Sequence, residues 1–281
     1  MNRDNEPGRI TVTESPEHTR DDPTRLEVLL EQERLKESLK LSRSIQMSML
    51  PTVFPRFARG NPVDLHACME PAREVSGDFY DFFYLDAHTL LLVIADVSDK
   101  GMPAALFMVM VKTLIRAYAR TYRLPHRILA AVNPELCRDN EALMFVTLFV
   151  ATLDTGTGLL VYSSAGHPPP LILGRNGTVE VLTVETSTPL GITPAMHFEA
   201  QERVLHPGEG LLLYTDGISE AMNAEQDTFG ETRLMALFEN QTERDAEQVV
   251  NTVLEAVRTF RAAAEPSDDL TLLFVRQGDS G

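Results

Sequence analysis

The chain has 281 residues, room for one large domain with an appendage or for two small domains. Hydrophobic residues make up 43%, an ordinary share that can fill a core, and 41 acids against 25 bases give a formal net charge of -16. That balance speaks against nucleic-acid binding, which normally leaves a basic footprint. The only cysteines, Cys68 and Cys137, have no paired or Cys/His spacing, so neither a zinc site nor a disulfide framework is expected. The first residues are polar, and no uninterrupted apolar run approaches the roughly 18 residues of a membrane span. A cytoplasmic protein without membrane association is expected.

Residues 1–24 carry Asp, Glu, Arg, Thr and Pro with almost nothing apolar, and are expected to be disordered. From Arg25 to about Met49 good helix formers take over, with no Gly or Pro before Pro51. Val28, Leu35, Ser42 and Met49 recur every seven residues, with Gln32, Leu39 and Gln46 between them. That half-apolar seam fits either a coiled-coil-like linker over 25–50, able to pair two copies, or a helix packed on its own domain. Pro51, Pro55 and Pro62 punctuate an extended stretch that opens a domain over 51–278.

Val63 to Glu70, Asp78 to Leu85 and Thr89 to Val97 read as strands, the last two joined by a turn at Asp86–His88. Leu90 to Ala95 (LLLVIA) is continuously apolar, as in a strand buried on both faces, and stops at Asp96. Met102 to Tyr122 and Pro125 to Asn140 read as helices. The first is apolar nearly all round in its front half and is expected to be sandwiched. Met144 to Leu153 and Gly158 to Ser164 form a hairpin around Asp154-Thr155-Gly156-Thr157. This DTGTG resembles a phosphotransferase loop but reads more simply as a β-turn. Short strands follow near Leu171 to Leu173, Val179 to Leu182 and His197 to Val204. Leu211 to Thr215 is an apolar strand ending at Asp216-Gly217; Leu234 to Glu239 and Ala246 to Ala264 are helical. Asp268-Asp269 opens a last strand to Val275.

Acids thus recur at strand ends beside a glycine or a second acid: Asp78, Asp96, Asp216 and Asp268/Asp269. Any one of them fits a turn or a helix cap equally well. Together they would repel unless a cation sat among them, and oxygen-only ligands suit Mg²⁺ or Mn²⁺. Such aspartates can bridge two ions roughly 3.5–4 Å apart that activate a water for attack on a phosphoryl group.

The ordered strings PAREVSGDFYDFF, ADVSDKGMPAAL, AGHPPP, PLG, LLLYTDGISEA and DDLTLL, over Pro51 to Arg276, resemble the SpoIIE-type (RsbU-like) branch of the metal-dependent PPM serine/threonine protein phosphatases. The preceding IQMSMLP resembles the segment joining such phosphatases to upstream sensors. The resemblance implies an α+β fold, a four-layer α-β-β-α sandwich of two antiparallel sheets flanked by helices, preceded here by the linker helix. It implies two Mn²⁺ or Mg²⁺ ions held by Asp78, Asp96, the Val97 carbonyl, Asp216, Asp268 and Asp269, with Asp78, Asp96, Asp216 and Asp268 carrying the catalysis. Matching Leu270-Thr271 to the family pattern favours Asp268 over Asp269 as the direct ligand. The implied substrate is phosphoserine or phosphothreonine in a partner such as a STAS-type anti-sigma-factor antagonist. Where relatives commonly have glycine this chain has Asp99, which leaves open a catalytically weak metal-binding scaffold of the same fold. Lys100 reads as neutralising the acids or contacting phosphate, His167 as a satisfied histidine in a Pro-braced loop rather than a general acid, and Glu220 as a helix-surface residue or one just behind the site.

Overall fold

The computed structural model describes residues 23–57, 62–185, 187–241 and 245–278. In chain order the elements are α1 (Pro23–Ser48), β1 (Val63–Glu70), β2 (Phe79–Tyr84), β3 (Thr89–Val97), α2 (Met102–Tyr122), α3 (Pro125–Cys137), β4 (Val146–Asp154), β5 (Leu159–Ala165), β6 (Leu171–Leu173), β7 (Val179–Val181), β8 (Gln201–Val204), β9 (Gly210–Tyr214), α4 (Asp216–Ser219), α5 (Gly230–Ala236), α6 (Ala246–Arg261) and β10 (Leu270–Gln277). The chain divides into two compact units, Met1–Ser38 and Leu39–Gly281. Residues 1–22 of the segment expected to be disordered lie outside the described residues, while Pro23 and Thr24 already belong to α1.

Two antiparallel five-stranded sheets run in the orders β1-β10-β9-β6-β7 and β2-β3-β4-β5-β8. Alternation along a strand decides which layer each side chain joins. In β10, Leu273 and Val275 face the core shared by the two sheets, whereas Leu270, Leu272 and Phe274 join the cluster beneath α5 and α6. β9 splits the same way, Leu211 and Leu213 inward, Leu212 and Tyr214 toward the helices. On the other sheet, Leu90 to Ala95 are wholly buried because β3 lies between the sandwich interior and α2. Helices therefore cover both outer faces, giving the four-layer α+β sandwich.

α2 departs from expectation. Its length and composition would allow it to cross a membrane. Here it packs one face on β3 and α3, burying Ala104, Phe107, Met108, Val111, Ile115 and Ala119. It is not sandwiched: Leu106 is 66% exposed, and Met102 and Met110 also face outward. A helix forming the outermost layer can bury only one side, however apolar the other is. Lys112 and Arg116 on that helix reach Asp81 of β2, which is 1% exposed, at 2.5 and 2.6 Å.

α3 stops at Cys137, three residues short of the expected end. Arg138 is extended and Asp139 adopts φ 55°, after which the Asn140 carboxamide bonds Met144 N and O and closes a loop. α5 starts at Gly230, earlier than the sequence suggested, and β8 is confined to Gln201–Val204. DTGTG is a β-turn: the Asp154 carboxylate accepts from Gly156 N and Thr157 N at 3.0 and 2.8 Å, as an Asx turn does.

Candidate metal centre

β2 and β3 pair with Phe79 opposite Ala95, so one step further the chain sets Asp78 opposite Asp96 at one end of the sheet. Asp78 is buried, 3% exposed. From the other sheet, β9 ends at Tyr214, Thr215 immediately precedes the single-turn α4, and Asp216 is that helix's first residue rather than the end of a strand. β10, the neighbour of β9, begins just after Asp268-Asp269. The acids therefore gather where two sheets end together.

Two glycines make that approach possible. A Cβ on Gly217 would lie 1.9 Å from the Asp269 carbonyl oxygen, and one on Gly77 would lie 2.9 Å from the Val97 carbonyl oxygen. No other residue allows the backbone so close at either place. The SGD and TDG triplets thus bring backbone and carboxylates of distant segments into contact. Gly101 (φ 82°, ψ -151°) occupies a region open essentially to glycine alone at the entry to α2, and Asp99 sits at φ 67°, a conformation aspartate tolerates better than most residues.

The electrostatics are those of crowded acids. Burial, then Asp96 and Asp269, push the Asp78 carboxyl well above its ordinary range. Burial and Asp216 push Asp96 up to about 7, opposed by a hydrogen bond from Asp78. Burial, Glu220 and Asp268 raise Asp216. Without a cation, protons must do the neutralising. Among the described residues, no three His, Cys, Asp or Glu side chains form a finished cluster for one ion. The acids nevertheless act on one another, Asp96 with Asp216, Asp78, Asp268 and Asp269, and Lys100 sits on one of them: its Nζ donates to Asp268 Oδ2 at 2.7 Å and to Ser267 O at 2.6 Å. The donor set, carboxylate and carbonyl oxygen only, fits a hard divalent cation.

Asp78 and Asp269 are held by a hydroxyl network. Thr215 Oγ1 accepts from Thr271 N at 3.2 Å and donates to Asp78 Oδ2 at 2.7 Å. Asp269 Oδ1 accepts from Ala72 N at 2.7 Å, and its Oδ2 from Ser76 Oγ at 2.7 Å and Gly77 N at 3.2 Å. Asp269 thereby fastens the loop before β2, and three of its lone pairs are taken. Asp268, by contrast, accepts from the Asp269 amide at 2.9 Å and from Lys100 Nζ at 2.7 Å. In the sequence Ser76 reads only as a mild departure from the family's GGD and Thr215 as a strand residue; the available signal is a hydroxyl residue within two positions of each acid. His167 is buried beside Thr147 Oγ1 at 3.0 Å, and burial lowers it to about 3, so it is a neutral structural residue.

A family model described as "Stage II sporulation protein E (SpoIIE)" matches residues 86–277. Protein IcfG of Synechocystis sp. is 33% identical over 225 residues, which are 70% of this chain and 35% of IcfG. The chain thus spans about a third of that relative. Phosphoserine phosphatase RsbU of Bacillus subtilis is 26% identical over 246 residues, 88% of this chain and 72% of RsbU. Among solved structures, the SiaA-PP2C domain of Pseudomonas aeruginosa superposes with a TM-score of 0.77 at 20% identity, covering 89% of this chain and 99% of that one. RsbX in complex with magnesium gives a TM-score of 0.58 at 16% identity, covering 77% and 96%. With the family match spanning more than half of the chain, and with the sandwich and its acid-lined end in the arrangement just described, this protein belongs to the SpoIIE family.

Proposed function

We propose that this protein is a Mn²⁺- or Mg²⁺-dependent phosphoprotein phosphatase acting on phosphoserine or phosphothreonine of a partner protein in bacterial signalling. The observation that carries the reading is the gathering of Asp78, Asp96, Asp216 and Asp268 where the two sheets end, with burial and neighbouring acids raising the carboxyls of Asp78 and Asp96. The name of RsbU, a phosphoserine phosphatase, and the magnesium in the RsbX structure support it by relationship.

Asp78, Asp96, Asp216, Asp268 and the Val97 carbonyl would hold the cations, whose contribution is to activate water and to stabilise charge on the phosphoryl group. Thr215 fixes the Asp78 carboxylate through its hydroxyl. Asp269, committed to the loop of Ala72–Gly77, orients the site rather than binding directly. Lys100 neutralises Asp268 through Oδ2 and would compete with a cation for that oxygen. The neutral His167 takes no proton-transfer role. Domain boundaries near residues 25 and 51, a cytoplasmic location and a STAS-type anti-sigma-factor antagonist as substrate complete the reading. Val28, Leu35, Leu41 and Ile45 leave α1 with exposed apolar side chains that suit pairing with a second copy.

Hydrolysis of p-nitrophenyl phosphate and of a phosphorylated antagonist, with Mn²⁺ and then with excess chelator, tests this directly. Asp96→Asn and Asp216→Asn should each abolish the chelator-sensitive turnover while the protein stays folded. Full activity in both variants sinks the assignment. The Lys100–Asp268 ion pair also favours a second reading, a scaffold with little catalysis; metal binding without turnover would select it.

A further inference from the structure

We infer that Gln46, on the last turn of α1, is a positioning residue of the metal centre, acting through Ser76. The inference rests on the proposed metal-dependent reading and assigns the site a residue from outside its acid-bearing motifs.

Gln46 is 4% exposed on a helix whose residues from Glu27 to Ile45 are, apart from half-buried Leu39 and Ser42, all exposed. Its carboxamide takes both main-chain groups of one residue: Nε2 donates to Ser76 O at 2.7 Å, and Oε1 accepts from Ser76 N at 3.0 Å. This is the two-bond exchange a neighbouring strand would supply, at a point that precedes β2. Ser76 is wholly buried. Its amide and carbonyl would otherwise be unpaired and costly to leave so. The Ser76 side chain then works on the centre: Oγ donates to Asp269 Oδ2 at 2.7 Å and accepts from Asp78 N at 3.0 Å. One carboxamide therefore fixes the backbone from which Asp78 projects and the hydroxyl that holds Asp269.

The helix end has other anchors. Leu50 is 4% exposed, Met47 packs on the shared core, and Tyr80 Oη donates to Pro51 O at 3.0 Å. Gln46→Met, similar in volume but without polar atoms, should consequently leave the helix docked while freeing Ser76. Gln46→Glu keeps an acceptor for Ser76 N, loses the donor to Ser76 O and adds a negative charge among acids.

The test uses the full chain and counts free Mn²⁺ by its solution EPR signal, with melting in chelator measured in parallel. Gln46→Met is expected to weaken Mn²⁺ binding at least about ten-fold, as loss of a residue supporting metal ligands does, and Gln46→Glu at least as much. Leu50→Ala is the control: it should lower the melting temperature at least as far, yet leave Mn²⁺ affinity near that of the parent chain. Gln46→Met binding Mn²⁺ like the parent overturns the inference alone. So does equal weakening by Leu50→Ala, which would make the effect one of general stability. If the parent chain itself takes up no Mn²⁺, the metal reading falls and the inference with it.

Discussion

Asp78 and Asp96 face each other across β2 and β3; burial with repulsion from Asp96 and Asp269 raises Asp78, and burial with repulsion from Asp216 raises Asp96. A carboxyl raised in the folded state binds more protons there than in the unfolded chain. Its stabilising contribution is complete below the unfolded value near about 4 and is lost as pH climbs through the folded value. For Asp96 that window closes at about 7. Buried His167, lowered to about 3, pulls the other way over part of that interval, so the comparison is with Asp96→Asn: in chelator the parent's melting temperature should lose ground to the variant's between about pH 4 and about pH 7, and saturating Mn²⁺ should reverse that loss. A parent-to-variant difference that stays constant across the interval would contradict the raised carboxyl of Asp96. The glycines give a second prediction at this scale. Gly217→Ala puts a methyl 1.9 Å from a carbonyl oxygen of the β10 entry. Such overpacking should cost about 1–3 kcal/mol in urea unfolding, and the Mn²⁺ affinity should drop with it. An unchanged midpoint would mean that the strand entry yields freely.

At the scale of elements, α2 carries the clearest lesson. Its apolar run correctly gave a helix over Met102–Tyr122, but an all-round apolar surface did not mean all-round burial. What pins the helix to β2 is the ion pair of Asp81 with Lys112, both nearly inaccessible, supplemented by the more exposed Arg116. Asp81→Asn would strand a buried ammonium, and breaking such a pair costs about 3–5 kcal/mol. Burial already lowers Lys112, so the deficit should shrink at high pH as that amine loses its proton. Urea midpoints across pH measure both effects; a loss well under about 1 kcal/mol would show that Lys112 reaches solvent. Strand limits were legible because β1 and β3 are runs bounded by turn residues. The end of α3 was not, because Asn140 closes its loop through Met144, a contact that helix propensity does not report.

For the whole molecule, the proposed pairing of α1 separates from the folding of the sandwich. A chain beginning at Leu39 keeps Gln46, Leu50 and both sheets, and should retain the melting transition in chelator while losing any dimer seen by light scattering of the full chain. Identical masses in multiples of one chain for both proteins would remove the part of α1 before Leu39 from the interface. The sequence by itself determined the elements and the chemistry: buried strands from apolar runs, amphipathic helices from their period, and aspartates beside glycines as oxygen ligands in waiting. Only the tertiary structure decided that Asp269 fastens a loop, that Lys100 sits on Asp268, that Gln46 reaches Ser76, and that one side of α2 is bare. Hydrophobic period reports how much of an element is buried, since that follows from a few neighbouring residues. Which group a polar atom meets depends on how segments 30 to 193 residues apart close on one another, and a local pattern carries no record of that closure.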